Sequence, residues 1–231
     1  MFLWSEIIMN REVTAIVPAR KESNRLKNKN ILPFGESTLL EHKLSQLKRV
    51  KEISQIVVSS EDEEILEIAK KNDVCIIKRP DEYARPECPF GRFVEHICSQ
   101  VEGDDILWAC CTSPFVDDKL YSYAISLYRE KLYEDYDSLI SVQKLNRFVM
   151  DKNGPINYQK GLRHKNSDQL EDLLLYTNGV VIAPRKSMIE WKYIWGNIPY
   201  FLEVDKKIGI DISDQYDYDV ARFLYSQEGI E

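Results

Sequence analysis

The sequence predicts a single α/β domain in which a mainly parallel sheet lies between two layers of helices. Short apolar runs rich in β-branched residues alternate along the chain with segments whose apolar residues recur at helical spacing. The first of these runs, 13–17, is apolar on both faces, as expected of a strand that is covered on both sides. At 231 residues, of which 44% are hydrophobic and 30% charged, the chain has the size and composition of one folded domain.

The order of the elements follows from these runs. Strands are expected at 13–17, 55–60, 74–77, 105–111, 137–142 and 176–183, and helices at 38–49, 61–72, 93–100, 120–133 and 215–225. Thr38 is a suitable N-cap for the first helix, because its hydroxyl can accept a hydrogen bond from a free backbone N–H. The acids of 61–64 fall in a first helical turn, where negative charge favours the helix dipole. Helix formation alone therefore explains most of this acidic cluster.

Two segments fall outside the pattern. Residues 1–12 are expected to form an N-terminal extension to a domain that spans 13–231, and no basic stretch precedes their apolar residues, so a signal peptide is not expected. No apolar run approaches the ~20 residues of a transmembrane helix. Residues 146–172 are polar and lack both helical and strand periodicity, so they are expected to form a small excursion from the domain.

Composition restricts the partners and the compartment. The formal net charge is −7, which argues against nucleic acid or an anionic membrane as the main partner. The five Cys residues form no Cys-x-x-Cys pair, which indicates neither a disulfide framework nor a zinc site and is typical of a reducing cytoplasm. With three His residues in the chain, a multi-His metal site is not expected.

The first strand leads into a loop of cations and small hydrogen-bonding residues. After Pro18 the chain carries Arg20, Arg25, Lys27 and Lys29, separated by Ser and Asn residues. Arginine offers forked donors to phosphate oxygens, and lysine offers a mobile positive charge. In open α/β sheets ligands bind beyond the carboxyl ends of the strands, so this loop is expected to bind a polyphosphate. A solvated basic loop is the alternative interpretation.

This loop resembles a known nucleotide-binding signature. Ala19-Arg20-x-x-Ser23, followed by Lys29-Asn30, is similar to the signature of the CMP-sugar synthetases, which are the cytidylyltransferases of acylneuraminate, of other nonulosonates and of 3-deoxy-manno-octulosonate. Further segments resemble the family in the family's order: Arg79-Pro80, Thr112-Ser113-Pro114, 137–142, Asn178-Gly179 and Asp211. The resemblance implies a Rossmann-like nucleotidyltransferase sheet, with the excursion forming a homodimer contact.

The resemblance also implies an activity and the residues that carry it. The activity is transfer of CMP from CTP to an acidic, sialic acid-like sugar, with release of pyrophosphate. Arg20, Lys29 and Asp211 are expected to be catalytic, and a Mg²⁺ cofactor is expected on Asp211 and Asp214, because a hard dication needs oxygen ligands. The expected nucleotide-binding residues are Ala19, Arg20, Ser23, Asn30, Arg79, Thr112 and Ser113. The expected acceptor-binding residues are Cys110, Asn178, Gly179 and Arg163.

Several positions depart from the family pattern. Lys21-Glu22 and Asn24 alter the first loop, Cys110 replaces a Gln on the acceptor side, and Ser213 replaces the second Asp of the metal pair. Cys110 is interpreted as a buried small apolar residue rather than a nucleophile, because nothing adjacent in sequence would lower the thiol pKa. Two alternatives therefore stay open: a nucleotidyltransferase of the same fold that acts on a phosphorylated or phosphonate small molecule, and a protein that binds nucleotide without turnover.

Overall fold

Residues 8, 10–21, 23, 25–170 and 173–227 are described by the structure, a computed structural model of the chain. Its strands are β1 (Val13–Pro18), β2 (Pro33–Phe34), β3 (Ser37–Thr38), β4 (Ile53–Ser60), β5 (Cys75–Lys78), β6 (Asp105–Trp108), β7 (Ser138–Lys144), β8 (Met150–Asp151), β9 (Gly154–Pro155), β10 (Leu174–Pro184) and β11 (Pro199–Glu203). Its α-helices are α1 (Leu39–Leu47), α2 (Glu63–Lys71), α3 (Asp81–Ala84), α4 (Phe90–Cys98), α5 (Asp118–Lys131), α6 (Arg185–Trp191) and α7 (Gln215–Gln227).

Within the described residues, seven strands form one sheet in the order β11-β7-β10-β6-β1-β4-β5. Neighbouring strands are parallel except where β10 runs antiparallel to both β6 and β7. The prediction of a mainly parallel sheet is therefore confirmed. The strand order reverses at β1, because the chain adds β4 and β5 on one side of it and then places β6 on the other. In open α/β sheets such a reversal opens a crevice at the carboxyl ends of the strands.

Helices cover both faces of the sheet, which confirms the predicted three layers. One buried cluster joins a face of the sheet to α1, α2, α5 and α7. A second cluster joins the opposite face to α4 and α6. Successive residues of β1 fall into different clusters, Ile16 into the second and Val17 into the first, because side chains alternate across a strand.

Side-chain caps fix the first residues of several helices, α1 and α2 among them. Thr38 Oγ1 accepts a hydrogen bond from the Glu41 N–H at 3.2 Å, and Glu41 Oε2 accepts one from the Thr38 N–H at 3.0 Å, so α1 begins with a capping box. Asp62 Oδ1 accepts from the Ile65 N–H at 3.2 Å and caps α2. The predicted cap at Thr38 is confirmed.

Some elements differ from the sequence-based expectation. β6 ends at Trp108 rather than at 111, and the chain turns where the Cys110 carbonyl accepts from the Ser113 N–H at 3.2 Å. The sequence does not predict α6 or β11, since both are short, and β11 becomes a sheet strand only by pairing with β7. The excursion contains the two-stranded β8–β9 pair.

The boundaries of the excursion and of the N-terminal extension stay predictions, since residues 1–7, 9, 171 and 172 lie outside the described part of the chain. None of the described helices combines the length and the apolar character that a bilayer crossing requires. The longest of them, α5, has 14 residues.

Candidate active site

A cleft of about 470 Å³ opens at the carboxyl ends of the strands, where the strand order reverses. Its wall includes Pro18, the last residue of β1, and Trp108, the last residue of β6. Arg79, which follows β5, lines one end, and Asn178 lines it from within β10. The cleft therefore extends across the edge of the sheet on both sides of the exit of β1.

The loop after β1 contributes three cations to this cleft. Arg20, Ser23, Arg25, Lys29 and Asn30 all line it. The buried side chain of Asn30 donates from Nδ2 to the carbonyl oxygen of Arg20 at 2.9 Å, which ties the two ends of the loop together. The two guanidinium groups and the ammonium lie on one wall, a charge arrangement suited to a polyphosphate.

The departure at Lys21 does not add charge to the cleft. Lys21 Nζ lies 2.7 Å from Asp62 Oδ2, and its backbone N–H donates to Glu61 Oε1 at 2.8 Å. These acids therefore anchor the loop in addition to beginning α2, a role that helix formation alone did not predict. Glu22 and Asn24, the other departures in this loop, lie outside the described residues.

The C-terminal acid meets the first loop inside the cleft. Lys29 Nζ donates to the carbonyl oxygen of Ile212 at 3.0 Å. Burial lowers the pKa of Lys29, and the charge of Asp211 acts in the opposite direction. Burial raises the pKa of Asp211, against a hydrogen bond from Thr112 and the charge of Lys29. Asp211 Oδ1 is buried and has no hydrogen-bond partner among the described residues. Arg20, Lys29 and Asp211, the residues predicted to be catalytic, thus line one cleft.

Arg79 forms the far end of the cleft. Its side chain is buried, and Nη2 donates to the Ser59 carbonyl at 2.8 Å, an oxygen that also accepts the Ala19 N–H at 3.0 Å. The guanidinium carbon lies 4.1 Å from the centroid of the Phe93 ring. Burial lowers the pKa of Arg79 to about 10, so the group remains a cation at neutral pH.

The predicted nucleotide-binding residues divide into two groups. Thr112 lines the cleft, and its carbonyl accepts the Ile212 N–H at 2.8 Å. Ala19 and Ser113 are fully buried and do not line it. The Ser113 hydroxyl has no hydrogen-bond partner within the described ranges. The residues at the cleft surface are Arg20, Ser23, Asn30, Arg79 and Thr112.

Asn178 reaches the cleft because β10 bulges. The register in which β10 pairs with β7 shifts between Tyr176 and Val181. Within this bulge, Asn178 has a φ of 56°, in the left-handed region. Asn178 Nδ2 donates to Cys110 Sγ at 3.3 Å, and its Oδ1 accepts from the Tyr176 hydroxyl at 2.9 Å. Burial raises the pKa of Cys110 to about 12, so this thiol stays neutral and is a poor nucleophile.

Besides Ala19 and Ser113, three more predicted site residues lie outside the cleft. A Cβ on Gly179 would come 2.9 Å from Val116 Cγ2, so the close approach that glycine permits is to the packed core rather than to a ligand. Asp214 Oδ1 accepts from the Asp217 N–H at 3.1 Å, as a helix N-cap does. Arg163 lines a separate cavity of about 530 Å³ in the excursion. One chain by itself does not bring these residues to the cleft.

The sequence-based prediction missed an aromatic wall. Tyr83, Phe90, Phe93 and Trp108 line the cleft, with the Phe90 and Phe93 ring centroids 6.0 and 5.7 Å from that of Trp108. Trp108 is the last residue of β6, and Cys110 follows it by two positions, within the strand that the sequence predicts over 105–111. The strand period of two is the signal that could have placed both on the same face.

The mainly parallel sheet, the cleft at its reversal and the cations at the exit of β1 define an α/β nucleotide-binding protein of the nucleotidyltransferase type. Comparison with known proteins then identifies the family. The sequence matches the cytidylyltransferase family over residues 14–193, and the chain belongs to that family.

The relatives confirm the resemblance to CMP-sugar synthetases. The chain is 24% identical over 220 residues to an N-acylneuraminate cytidylyltransferase from Escherichia coli, an alignment that covers 92% of this chain and 52% of the relative. It is 23% identical over 227 residues to a pseudaminic acid cytidylyltransferase from Campylobacter jejuni, covering 91% and 94%. The chain thus spans about half the length of the E. coli relative.

Solved structures share the fold at lower identity. A CMP:2-keto-3-deoxy-manno-octonic acid synthetase complexed with CTP superposes with a TM-score of 0.72 at 13% identity, covering 94% of this chain and 99% of the other. A 4-diphosphocytidyl-2C-methyl-D-erythritol synthase from Anaerococcus prevotii gives 0.65 at 15% identity, covering 96% and 99%.

Proposed function

We propose that this chain transfers CMP from CTP to an acidic sugar of the nonulosonate type and releases pyrophosphate. The observation that carries the proposal is the convergence of Arg20, Lys29 and Asp211 on one cleft. Curated relatives that cover most of this chain are named for acceptors of this class, N-acylneuraminate and pseudaminic acid.

The reaction demands little covalent chemistry from the protein. An acceptor hydroxyl oxygen attacks the α-phosphorus of CTP and gives up its proton to solvent. The bond from that phosphorus to the oxygen that bridges it to the β-phosphorus breaks, and pyrophosphate leaves with the electron pair. Negative charge accumulates on the leaving group, where Arg20, Arg25 and Lys29 can stabilise it. Catalysis of this kind rests on positioning and on electrostatic stabilisation.

A magnesium ion fits the carboxylate in this cleft. Asp211 lines the cleft together with the cations of the first loop, and its Oδ1 is buried and lacks a hydrogen-bond partner among the described residues. No group of three or more His, Cys, Asp and Glu side chains in the described ranges is arranged to hold a metal. Mg²⁺ keeps several waters and is commonly bound by one or two carboxylates plus substrate phosphates, so Asp211 would hold it together with CTP. The ion would neutralise charge on the departing pyrophosphate.

Asp214 is a weaker choice for that role, because its carboxylate caps α7 and does not line the cleft. Ser213 does line it, beside Asp211, and offers a neutral hydroxyl where the family has a second carboxylate. We therefore propose that Asp211 is the main protein ligand of the metal.

The acceptor would bind on the β6 and β10 side of the cleft. Cys110 and Asn178 face this side together, joined by the hydrogen bond from the amide to the sulfur. Asn178 can offer its remaining amide N–H to an acceptor oxygen, since an Asn side chain has two N–H donors. Trp108 adds an apolar surface next to them.

In a homodimer, Arg163 could bind the acceptor in the cleft of the neighbouring copy. The excursion and the adjoining start of β10 expose the apolar side chains of Met150, Ile156, Leu162 and Leu175. A second copy of the chain that covers this surface would place the basic excursion near the neighbouring cleft. Light scattering at several concentrations tests this, and a Leu162→Asp variant should shift the mass towards the monomer. A cytoplasmic location stays a prediction.

The activity is tested by following pyrophosphate release with CTP, UTP, ATP and GTP against a panel of acceptors, in the presence of Mg²⁺. Nonulosonates, 3-deoxy-manno-octulosonate, sugar phosphates and phosphonates form the panel, and Asp211→Asn serves as the inactive control. We expect release with CTP and a nonulosonate. Release of pyrophosphate only with a phosphorylated or phosphonate acceptor would show that the substrate belongs to that class instead of to the nonulosonates. CTP binding without release from any pair would identify a non-catalytic nucleotide-binding protein.

A further inference from the structure

Lys43 is a fully buried lysine that the proposed reaction does not use. It lies on α1, on the face that packs against the sheet layer behind the cleft. Its Nζ donates to the carbonyl oxygen of Val116 at 2.9 Å and to the hydroxyl of Tyr121 at 3.0 Å. Both acceptors are neutral oxygens, although a buried ammonium is stabilised most by a carboxylate. Such an arrangement is costly for stability and calls for an explanation.

The same face of α1 holds the loop that leads from Thr112 to Val116. Gln46 Nε2 donates to the carbonyl oxygen of Pro114 at 2.7 Å, and His42 Nε2 lies 3.0 Å from that oxygen. Together with Lys43, which donates to Val116, three side chains of one helix contact two carbonyl oxygens of this loop. The position of Thr112 in the cleft therefore depends on α1.

Lys43 also connects this loop to the bulge of β10. The Tyr121 hydroxyl, which accepts from Lys43, lies 3.4 Å from the carbonyl oxygen of Gly179 and donates to it. Gly179 follows Asn178, the residue that faces the acceptor side of the cleft. The ammonium also lies 4.8 Å from the centroid of the Tyr121 ring. Lys43 thus contacts the loop directly, through the Val116 carbonyl, and reaches the bulge through the Tyr121 hydroxyl.

We infer that Lys43 is a positioning residue for the acceptor side of the cleft, since it fixes the loop that carries Thr112 relative to the bulge that carries Asn178. This inference rests on the proposed transferase function for its kinetic consequence. Its structural consequence does not depend on that function: without the Lys43 contacts, the loop and the bulge should open more often than the rest of the sheet.

The protonation of Lys43 adds a pH dependence to this contact. Burial lowers the pKa of Lys43 to about 7. The titratable groups that face it are Cys110, Cys111 and Asp117 of the loop, Tyr121 of α5 and His42 of its own helix. Burial raises the pKa of both thiols to about 12 and that of the phenol further, so these groups stay neutral. The amine keeps two donors when the ammonium loses its proton, and its hydrogen bonds weaken.

The test uses two variants, Lys43→Met and Tyr121→Phe. The second removes only the hydroxyl, so the test can still be made if Lys43→Met does not fold. Lys48→Met, an exposed lysine just after α1, is the matched control, and Leu40→Ala supplies a core defect on the same helix. Hydrogen exchange of the backbone amides of residues 113, 115, 116 and 178–181 is measured at pH 6 and pH 8, and the rates are corrected for the intrinsic effect of pH on exchange. Acceptor KM, kcat and CTP affinity are measured over the same pH range.

In both test variants we expect exchange in these two segments to rise at least about tenfold over the change in the remaining sheet. Acceptor KM should rise by a similar factor, with CTP affinity unchanged. Wild type should show acceptor KM rising above pH 7, and Lys43→Met should lose that dependence. A purely structural role predicts that Leu40→Ala behaves like Lys43→Met, and this result would overturn the inference.

Exchange in both segments that matches Lys48→Met would overturn it as well. If no acceptor is turned over, the proposed function fails but the exchange measurement still decides the role of Lys43, because it needs neither CTP nor acceptor.

Discussion

Lys29 Nζ donates a hydrogen bond to the carbonyl oxygen of Ile212 at 3.0 Å, although the two residues are 183 positions apart in the sequence. This contact joins the loop after β1 to the segment that carries Asp211. It places an ammonium and a carboxylate in the same cleft, each shifted by burial away from its charged form. A site whose own charges are disfavoured by burial is suited to a charged ligand that compensates them.

Removing a cation from the first loop should weaken CTP binding. For Lys29→Ala and for Arg20→Ala we expect affinity to fall at least about tenfold, equivalent to about 1.4 kcal/mol, because each variant would lose the charged contact to phosphate that we propose. Isothermal titration calorimetry with CTP and Mg²⁺ measures this. Lys21→Ala is the matched control, since Lys21 pairs with Asp62 outside the cleft. Wild-type affinity in both test variants would remove this loop from the nucleotide site.

Replacing Asp211 by Asn should lower the activity of the enzyme. In Asp211→Asn we expect kcat to fall at least about 100-fold and its dependence on Mg²⁺ to weaken, because the proposed metal ion would lose its carboxylate ligand. Asp219→Asn, an exposed acid on α7, is the control and should behave as wild type. A fully active Asp211→Asn variant would exclude the metal role.

The same variant tests the burial of the carboxylate. The pKa of Asp211 is raised above the ordinary value of 3.8, so the folded state binds its proton more tightly than the unfolded state does. Stability therefore falls as pH rises from about 4 through the raised pKa, and this loss should be absent in Asp211→Asn. Thermal unfolding without nucleotide should show a higher Tm for the variant at pH 8 and a smaller difference at pH 4.

The left-handed backbone at Asn178 predicts which substitution the fold tolerates. Gly adopts a positive φ without steric cost, so Asn178→Gly should keep the Tm within a few degrees while removing the amide from the acceptor side. We expect acceptor KM to rise at least about tenfold with unchanged CTP affinity. Asp135→Gly, at a positive φ far from the cleft lining, controls for the added backbone freedom. A rise in the Kd of CTP instead would assign Asn178 to the nucleotide.

A substitution at Ser213 tests the effect of having Ser where the family has the second Asp of its metal pair. It lines the cleft beside Asp211, so Ser213→Asp adds a second carboxylate where Mg²⁺ is proposed to bind. We expect the Mg²⁺ concentration for half-maximal activity to fall several-fold, because a carboxylate is a stronger ligand than a hydroxyl for this ion. Ser213→Asn matches its size without the charge. Equal Mg²⁺ requirements in the two variants would place the metal elsewhere.

The buried lysine predicts an unusual pH dependence of stability. The folded-state pKa of Lys43 is about 7, below its ordinary value of 10.5, so the unfolded chain binds more protons between these values. The contribution of Lys43 to stability therefore rises from pH 7 to about 10 and is least favourable below pH 7. The Tm difference between Lys43→Met and wild type should accordingly favour the variant most at pH 6. Lys48→Met should show no such trend.

Several features of the site follow from sequence because their causes are local. The apolar run of β1, the cations that follow it and the capping box at Thr38 each depend on residues a few positions apart. The motif around Asp211 could be placed in the cleft only through resemblance to a family. An N-cap at Ser213 or Asp214 is the sequence-based alternative to a metal role, and Asp214 caps α7. Gly179 illustrates the opposite case, because its sequence neighbours do not reveal that it packs on Val116.

The sequence by itself determined the α/β class, the position of the basic loop and the family. These features depend on the spacing of hydrophobic residues, on turn residues and on the order of motifs, all of which can be read from the sequence alone. The tertiary structure alone decided that Lys29 meets Ile212, that Trp108 and Phe90 form an aromatic wall and that Lys43 is enclosed between α1, the loop and α5. These contacts join distant segments, and their geometry is set by the order of strands in the sheet. No local pattern in the chain records that order.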